Sequence, residues 1–113
     1  MTVAGVRATA VTGERELERR RIERALATRR RYRYVQPEVV AEADGWRIDS
    51  PCCSRNVERG GGVIAIARLQ RLAGCWRLYR REHAKSEWIF YGEGSLVQLL
   101  EIMCRDPERQ FWM

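Results

Sequence analysis

The chain predicts an α+β fold, with an N-terminal helix, a four- to five-stranded antiparallel meander and a C-terminal helix packed on the sheet. Three observations carry this reading. Helix formers without Gly or Pro fill Glu14 to about Tyr32, short β-type runs divided by turn residues fill the middle, and a capped amphipathic segment follows Gly94. At 113 residues and 45% apolar, the chain has material for one core, and residues 14–113 are expected to form a single domain. Residues 1–13 are small, mixed and aperiodic, the pattern of a disordered arm.

Thr12 or Gly13 is placed to cap the first helix, and Leu17, Ile22, Ala25 and Leu26 give it a thin apolar stripe. Glu16–Arg20, Glu18–Arg21 and Arg20–Glu23 are spaced for local ion pairs. So narrow a stripe lays the helix on the domain surface, with most of its Arg facing water or a partner. Asp44-Gly45, between Glu38–Ala43 and Trp46–Ser50, is the best short-range hairpin signal. On the second strand Trp46 and Ile48 alternate with Arg47 and Asp49, and Pro51 ends it. Residues 51–62 read as a loop closing in Gly60-Gly61-Gly62. Val63 to Leu69 is apolar at both odd and even positions, which predicts a central strand covered on both sides. Ala73-Gly74 leads into Cys75–Glu82, where Trp76 and Leu78 oppose Arg77, Tyr79 and Arg81. After the turn at His83–Lys85 comes the aromatic-rich run Glu87–Tyr91, and Gly92-Glu93-Gly94 breaks the sheet. Ser95 and Gln98 form a capping box, Leu96, Leu99, Leu100 and Met103 recur at helical spacing, and Asp106-Pro107 stops the helix. Phe111-Trp112 is too apolar for a loose tail and is expected to tuck against the sheet or a second subunit.

The net charge of +6 is unevenly placed. Residues 1–33 hold ten Arg and four Glu, so they carry the whole excess, and the rest of the chain sums to zero. A one-sided basic field steers a protein towards nucleic acid, another polyanion or an acidic protein surface. The competing reading is a solvated helix in a chain whose only Lys is Lys85, the Arg-heavy usage of a GC-rich genome. The longest apolar run is too short to cross a bilayer, and the N-terminus shows no compact apolar stretch of the signal-peptide kind. Cys52, Cys53, Cys75 and Cys104 show no CxxC spacing, and adjacent Cys52 and Cys53 cannot readily bridge each other. Free thiols, a cytoplasmic location and no membrane follow as expectations.

Two anion-binding candidates stand out. Arg29, Arg30, Arg31 and Arg33, interleaved with Tyr32 and Tyr34, could neutralise phosphates and stack on bases; cations at a helix C-terminus, complementing its dipole, are the alternative. Arg77, Tyr79 and Arg81 share one strand face, with Arg47 a candidate neighbour, as on sheets that hold single-stranded nucleic acid. An ordinary wet face diluted by Glu82 and Glu87 competes with that reading, and the glycine-rich aromatic signature of an RNA-recognition motif is missing. Cys52 or Cys53 beside Arg55, with His83, would make a thiol-dependent enzyme conceivable; two small residues turning a corner is the plainer account. Zinc finds no paired ligand spacing, and Gly60-Gly61-Gly62 precedes a strand rather than the helix a phosphate loop needs. No catalytic residue, metal or cofactor is assigned.

Across Arg29–Tyr34, Gly45-Trp46-Arg47-Ile48, Ser50–Asn56, Trp76–Arg81 and Asp106-Pro107 to Phe111-Trp112, the chain resembles a group of small bacterial proteins, the domain of unknown function 3024 grouping. The resemblance covers most of the chain after the first dozen residues. It implies a small bacterial cytosolic protein and supplies no catalytic motif. The functional expectation is a non-enzymatic protein that binds nucleic acid or another polyanion through its Arg-rich N-terminal helix. The alternative is a homodimeric interaction module built on the doubly apolar strand and the Phe111-Trp112 end.

Overall fold

The computed structural model describes residues 2–29, 36–51 and 62–112, with side chains from Gly13 onward. Helix α1 (Thr2–Ala27) is followed by β1 (Glu38–Glu42), β2 (Gly45–Pro51), β3 (Val63–Leu72), β4 (Cys75–Glu82) and β5 (Glu87–Gly94), and the order closes with α2 (Leu96–Arg105). The five strands pair antiparallel in chain order, which is the expected meander, and the architecture is α+β. The helix boundaries differ from expectation. Helical backbone begins at Thr2 rather than Glu14, as the proline-free, Ala-containing N-terminus permits. It stops at Ala27 rather than near Tyr32, where the Thr28 and Arg29 amides donate to the Ala25 and Leu26 carbonyls in a tightened last turn.

The first hairpin forms one residue earlier than the Asp-Gly signal implies. Glu42 pairs with Gly45, so Ala43 and Asp44 are the turn and Gly45 is already strand. Gly45 is needed for a different reason: a β-carbon there would lie 1.8 Å from the Leu69 carbonyl oxygen of β3. The Asp44 carbonyl accepts from the Arg71 amide at 2.7 Å, which locks the turn onto β3. Ala73-Gly74 turns β3 into β4 as expected, with Gly74 at φ +82°.

The central strand corrects the expectation of a sheet covered on both sides. Pairing shifts between Ile48 and Asp49: Ile48 stands opposite Ala67, but Asp49 stands opposite Ala65, leaving Ile66 as an extra residue in β3. Directly paired residues share a face. Ile64 therefore points with Ser50 to the helix-covered side, Ile66 follows it, and beyond the bulge Ala67 and Leu69 point the same way with Ile48 and Trp46. Ile66, Ala67 and Leu69 are buried and Ile64 packs on the same core, while Val63 is exposed. The bulge gathers apolar residues of both positions onto one face. The second covering layer that the sequence suggested is not required.

That one face carries the core. Ile22 and Leu26 of α1, Trp46, Ile48, Leu69 and Leu78 of the sheet, and Leu96, Leu99, Leu100 and Met103 of α2 belong to one buried cluster. Each such side chain contributes about 1.5–3 kcal/mol by leaving water. The capping box is present, with Ser95 Oγ accepting from the Gln98 amide at 3.1 Å and Gln98 Oε1 from the Ser95 amide at 3.0 Å. The tail tucks against its own chain: Phe111 meets Tyr91 edge-on at 5.0 Å, and the Trp112 indole donates to the Met103 carbonyl at 3.0 Å. Both features that suggested a second subunit are accounted for within one chain.

Candidate functional site

The arginines of α1 divide between those spent on the fold and those left outside. Arg15 and Arg19 lie over the Trp46 ring at 4.3 and 5.0 Å and donate to backbone carbonyls of β1 and the hairpin. Burial, with Arg71 and Arg19 nearby, pulls the Arg15 guanidinium below its ordinary value. The Trp46 indole donates to Glu18 at 3.1 Å, and Glu18 also pairs with Arg71. Glu18 is thus turned inward, away from the helix-surface pair with Arg21, whereas Glu16–Arg20 forms at 3.4 Å. Arg20, Arg21 and Arg24 face outward.

Arg29 requires a correction. It is only 6% exposed, its guanidinium lies 4.4 Å over the Trp112 ring, and burial lowers its pKa. It clamps the C-terminal tail, and the little of it that remains exposed lies in the seam between the two helices rather than on an open basic face. Arg30, Arg31 and Arg33 lie outside the described residues, as do Cys52 and Cys53. His83 sits in the β4–β5 turn, where burial lowers its pKa. The meander puts that turn at the same end of the sheet as Pro51 and Val63. Cys104 is half-buried, donates to the Ala25 carbonyl at 3.4 Å, and is pushed by burial to a pKa of about 11, so its thiol is not activated.

The sheet face away from the helices has two unlike halves. Over β1–β3, charges cancel. Arg47 grips Asp49 through two bonds of 2.8 and 3.0 Å; Arg68 reaches Glu42 at 2.9 Å and Asp44 at 3.0 Å. Gln70 donates to Asp44 at 2.8 Å and holds the carboxyl below its ordinary value, with Arg68 adding to the effect. Arg47, which the sequence could place near the strand patch, is thus committed to acids.

Over β4–β5 the face is aromatic. Arg77, Tyr79 and Arg81 share it as the alternation requires, and a second bulge adds to them. Leu78 pairs with Gly92 but Tyr79 with Phe90, so Tyr91 is the extra residue of β5. Tyr91 packs on the core, and beyond it Phe90 and Trp88 come to the open side, opposite Tyr79 and Arg81. Tyr79 and Phe90 meet edge-on with ring centres 6.0 Å apart. Arg81 lies 4.9 Å over Trp88, and Arg77, paired with Glu93 at 2.9 Å, lies 5.8 Å from Phe90. Tyr79 also donates to Gln70 at 2.8 Å, tying the aromatic half to the charged half. Phe90 is 54% exposed, and among the described residues neither helix covers this face. The result is a cluster of three rings on the open face, Tyr79 and Phe90 set edge-on and Trp88 carrying the Arg81 guanidinium over its ring, with Arg77 alongside.

A family model described as domain of unknown function (DUF3024) matches residues 10–113. The chain belongs to the DUF3024 family. No curated protein and no solved structure matches it. In this DUF3024 protein the expected strand triad is together on one face, and the expected helix cluster is represented among the described residues by Arg29 alone, which is buried. Sequence reasoning missed Trp88 and Phe90 as members of the patch. Their odd-even alternation was visible, but the bulge that decides which way they point was not. It also missed Asp106, fully buried at φ +45°, whose carboxylate accepts from the backbone amides of Gln110, Phe111 and Trp112 at 2.6–3.2 Å. Among the described residues, no helix is long and apolar enough to cross a membrane.

Proposed function

We propose that this DUF3024 protein binds single-stranded nucleic acid, stacking bases on Tyr79, Phe90 and Trp88 and meeting phosphates with Arg77 and Arg81. The observation that supports this reading is the bulge at Tyr91, which turns Phe90 and Trp88 out beside Tyr79 on an open sheet face. An exposed phenyl ring in water is otherwise unrewarded, whereas a base stacked on it contributes about 1–3 kcal/mol. Aromatic faces accept any base, so the preference is for single strands over duplex rather than for a sequence. Arg30, Arg31 and Arg33 supply the second component, a phosphate attraction that adds to affinity without specificity.

The test is fluorescence anisotropy of a labelled oligothymidine and a duplex of equal length. Single-strand binding is expected to weaken about tenfold or more for Phe90→Ala and for Trp88→Ala, the size of one lost stacking contact. Both side chains lie outside the core cluster, so the fold should survive. If Arg77 and Arg81 alone met phosphates, the salt slope would be about −1.4, and replacing Arg30, Arg31 and Arg33 by Ala would leave it unchanged. A steeper slope that falls in that triple variant assigns the remainder to the basic run. Equal affinity for duplex, or indifference to both aromatic variants, would overturn the reading.

A further inference from the structure

On the opposite side of the molecule, α1 and α2 enclose a groove of about 880 Å³. Its floor is apolar, made by Ala25, Val97 and Leu100 with the Cys104 sulfur, and its banks are Arg21 and Arg24 on α1 and Arg105 on α2. Glu101, the one acid in the lining, is paired with Arg105 at 2.9 Å. Arg21 and Arg24 have no acidic partner among the described residues. Val97 is 61% exposed, on the same helix whose Leu96, Leu99, Leu100 and Met103 are buried.

We propose that this groove seats an acidic amphipathic helix of a partner protein. Two features select that occupant. The first is charge: the α1 bank presents two exposed cations three residues apart that have no acidic partner among the described residues. The second is shape. Small-molecule sites bury about 70–90% of their ligand, which a trough with so exposed a floor residue does not do. A helix needs only one face buried, through anchors about one turn apart, and the floor from Val97 to Cys104 runs for two turns along α2. Leucines of the partner would sit over Val97, Ala25 and Leu100 while its Glu side chains meet Arg21 and Arg24.

The experiment uses the full chain and a fluorescein-labelled helical peptide with Leu at i, i+3, i+4 and i+7 and Glu at the remaining positions. A scrambled peptide of identical composition is the control. The patterned peptide is expected to bind at least tenfold tighter than the scrambled one. An R21E/R24E double variant and, separately, Val97→Glu are each expected to weaken it tenfold or more. All three substituted side chains are exposed, so the fold should be retained, which circular dichroism verifies. Phe90→Ala should leave peptide binding unchanged, so this site and the sheet face can fail independently. Equal binding of the scrambled peptide would overturn the proposal, as would indifference to charge reversal. Binding of decanoate without the peptide would assign the groove to a small amphiphile instead. Self-association abolished by Val97→Glu would assign it to a second copy of the chain.

Discussion

Single residues hold this fold together in ways that their chemistry explains only once their neighbours are known. Asp106 sits in the left-handed region at the end of α2, and its buried carboxylate gathers three tail amides. Replacing it by Ala leaves those donors unsatisfied, and urea unfolding should show a loss of about 2–4 kcal/mol. Asn, which tolerates the left-handed conformation and keeps one acceptor oxygen, should lose less. Tyr91 donates to Glu108 at 2.6 Å, and that bond, with burial, raises its pKa to about 12. A pKa raised on folding means stability that is complete below pH ~10 and is lost as pH rises through the folded value. Ultraviolet titration of tyrosinate should show one late-ionising tyrosine, absent in Tyr91→Phe and shifted down in Glu108→Gln. The sequence marked Asp106 only as a helix stop, because stopping a helix is local chemistry and capturing a tail is not.

At the scale of elements, the strands and α2 were legible and the way strands face was not. Turn residues, a capping box and helical spacing are short-range signals, and most of them correspond to structure; Gly92-Glu93-Gly94, expected to break the sheet, is instead the paired end of β5, because glycine does not prevent backbone pairing with β4. The two bulges are set by how neighbouring strands twist and pair, so no run of residues in one strand announces them. That is why β3 reads as covered on both sides and why Phe90 and Trp88 escaped the candidate patch. Helix α1 was legible as a helix but not in its ends, since nothing in its Arg-rich sequence says that Arg29 belongs to the tail's packing. The seam between the helices makes its own prediction. Cys104 bonds to the Ala25 carbonyl and its thiol is raised to a pKa of about 11. Alkylation of Cys104 near neutral pH, followed by mass mapping, should therefore be slow in the native protein and should accelerate when urea opens the α1–α2 contact.

The whole molecule is a sheet with both helices on one side and, among the described residues, an open face on the other. Because Phe111 and Trp112 complete the chain's own core, Trp112→Ala should cost about 3–5 kcal/mol in unfolding free energy. Its mass in sedimentation should match that of the unaltered protein, since the lost contacts are internal. Charge is distributed on the same plan: acids neutralise Arg47 and Arg68 across the strands, while Arg21 and Arg24 on the outer side of α1 have no acidic partner among the described residues. The bulge at Tyr91 has an evolutionary corollary. Without Tyr91, Gly92 would still stand opposite Leu78 and Phe90 opposite Tyr79, so Phe90 and Trp88 would keep their places on the open face and only the core contact of Tyr91 would be lost. A bulge of this kind absorbs a single-codon insertion or deletion where it falls. A family built on this sheet can therefore gain or lose one residue in β5 and still present the same aromatic surface.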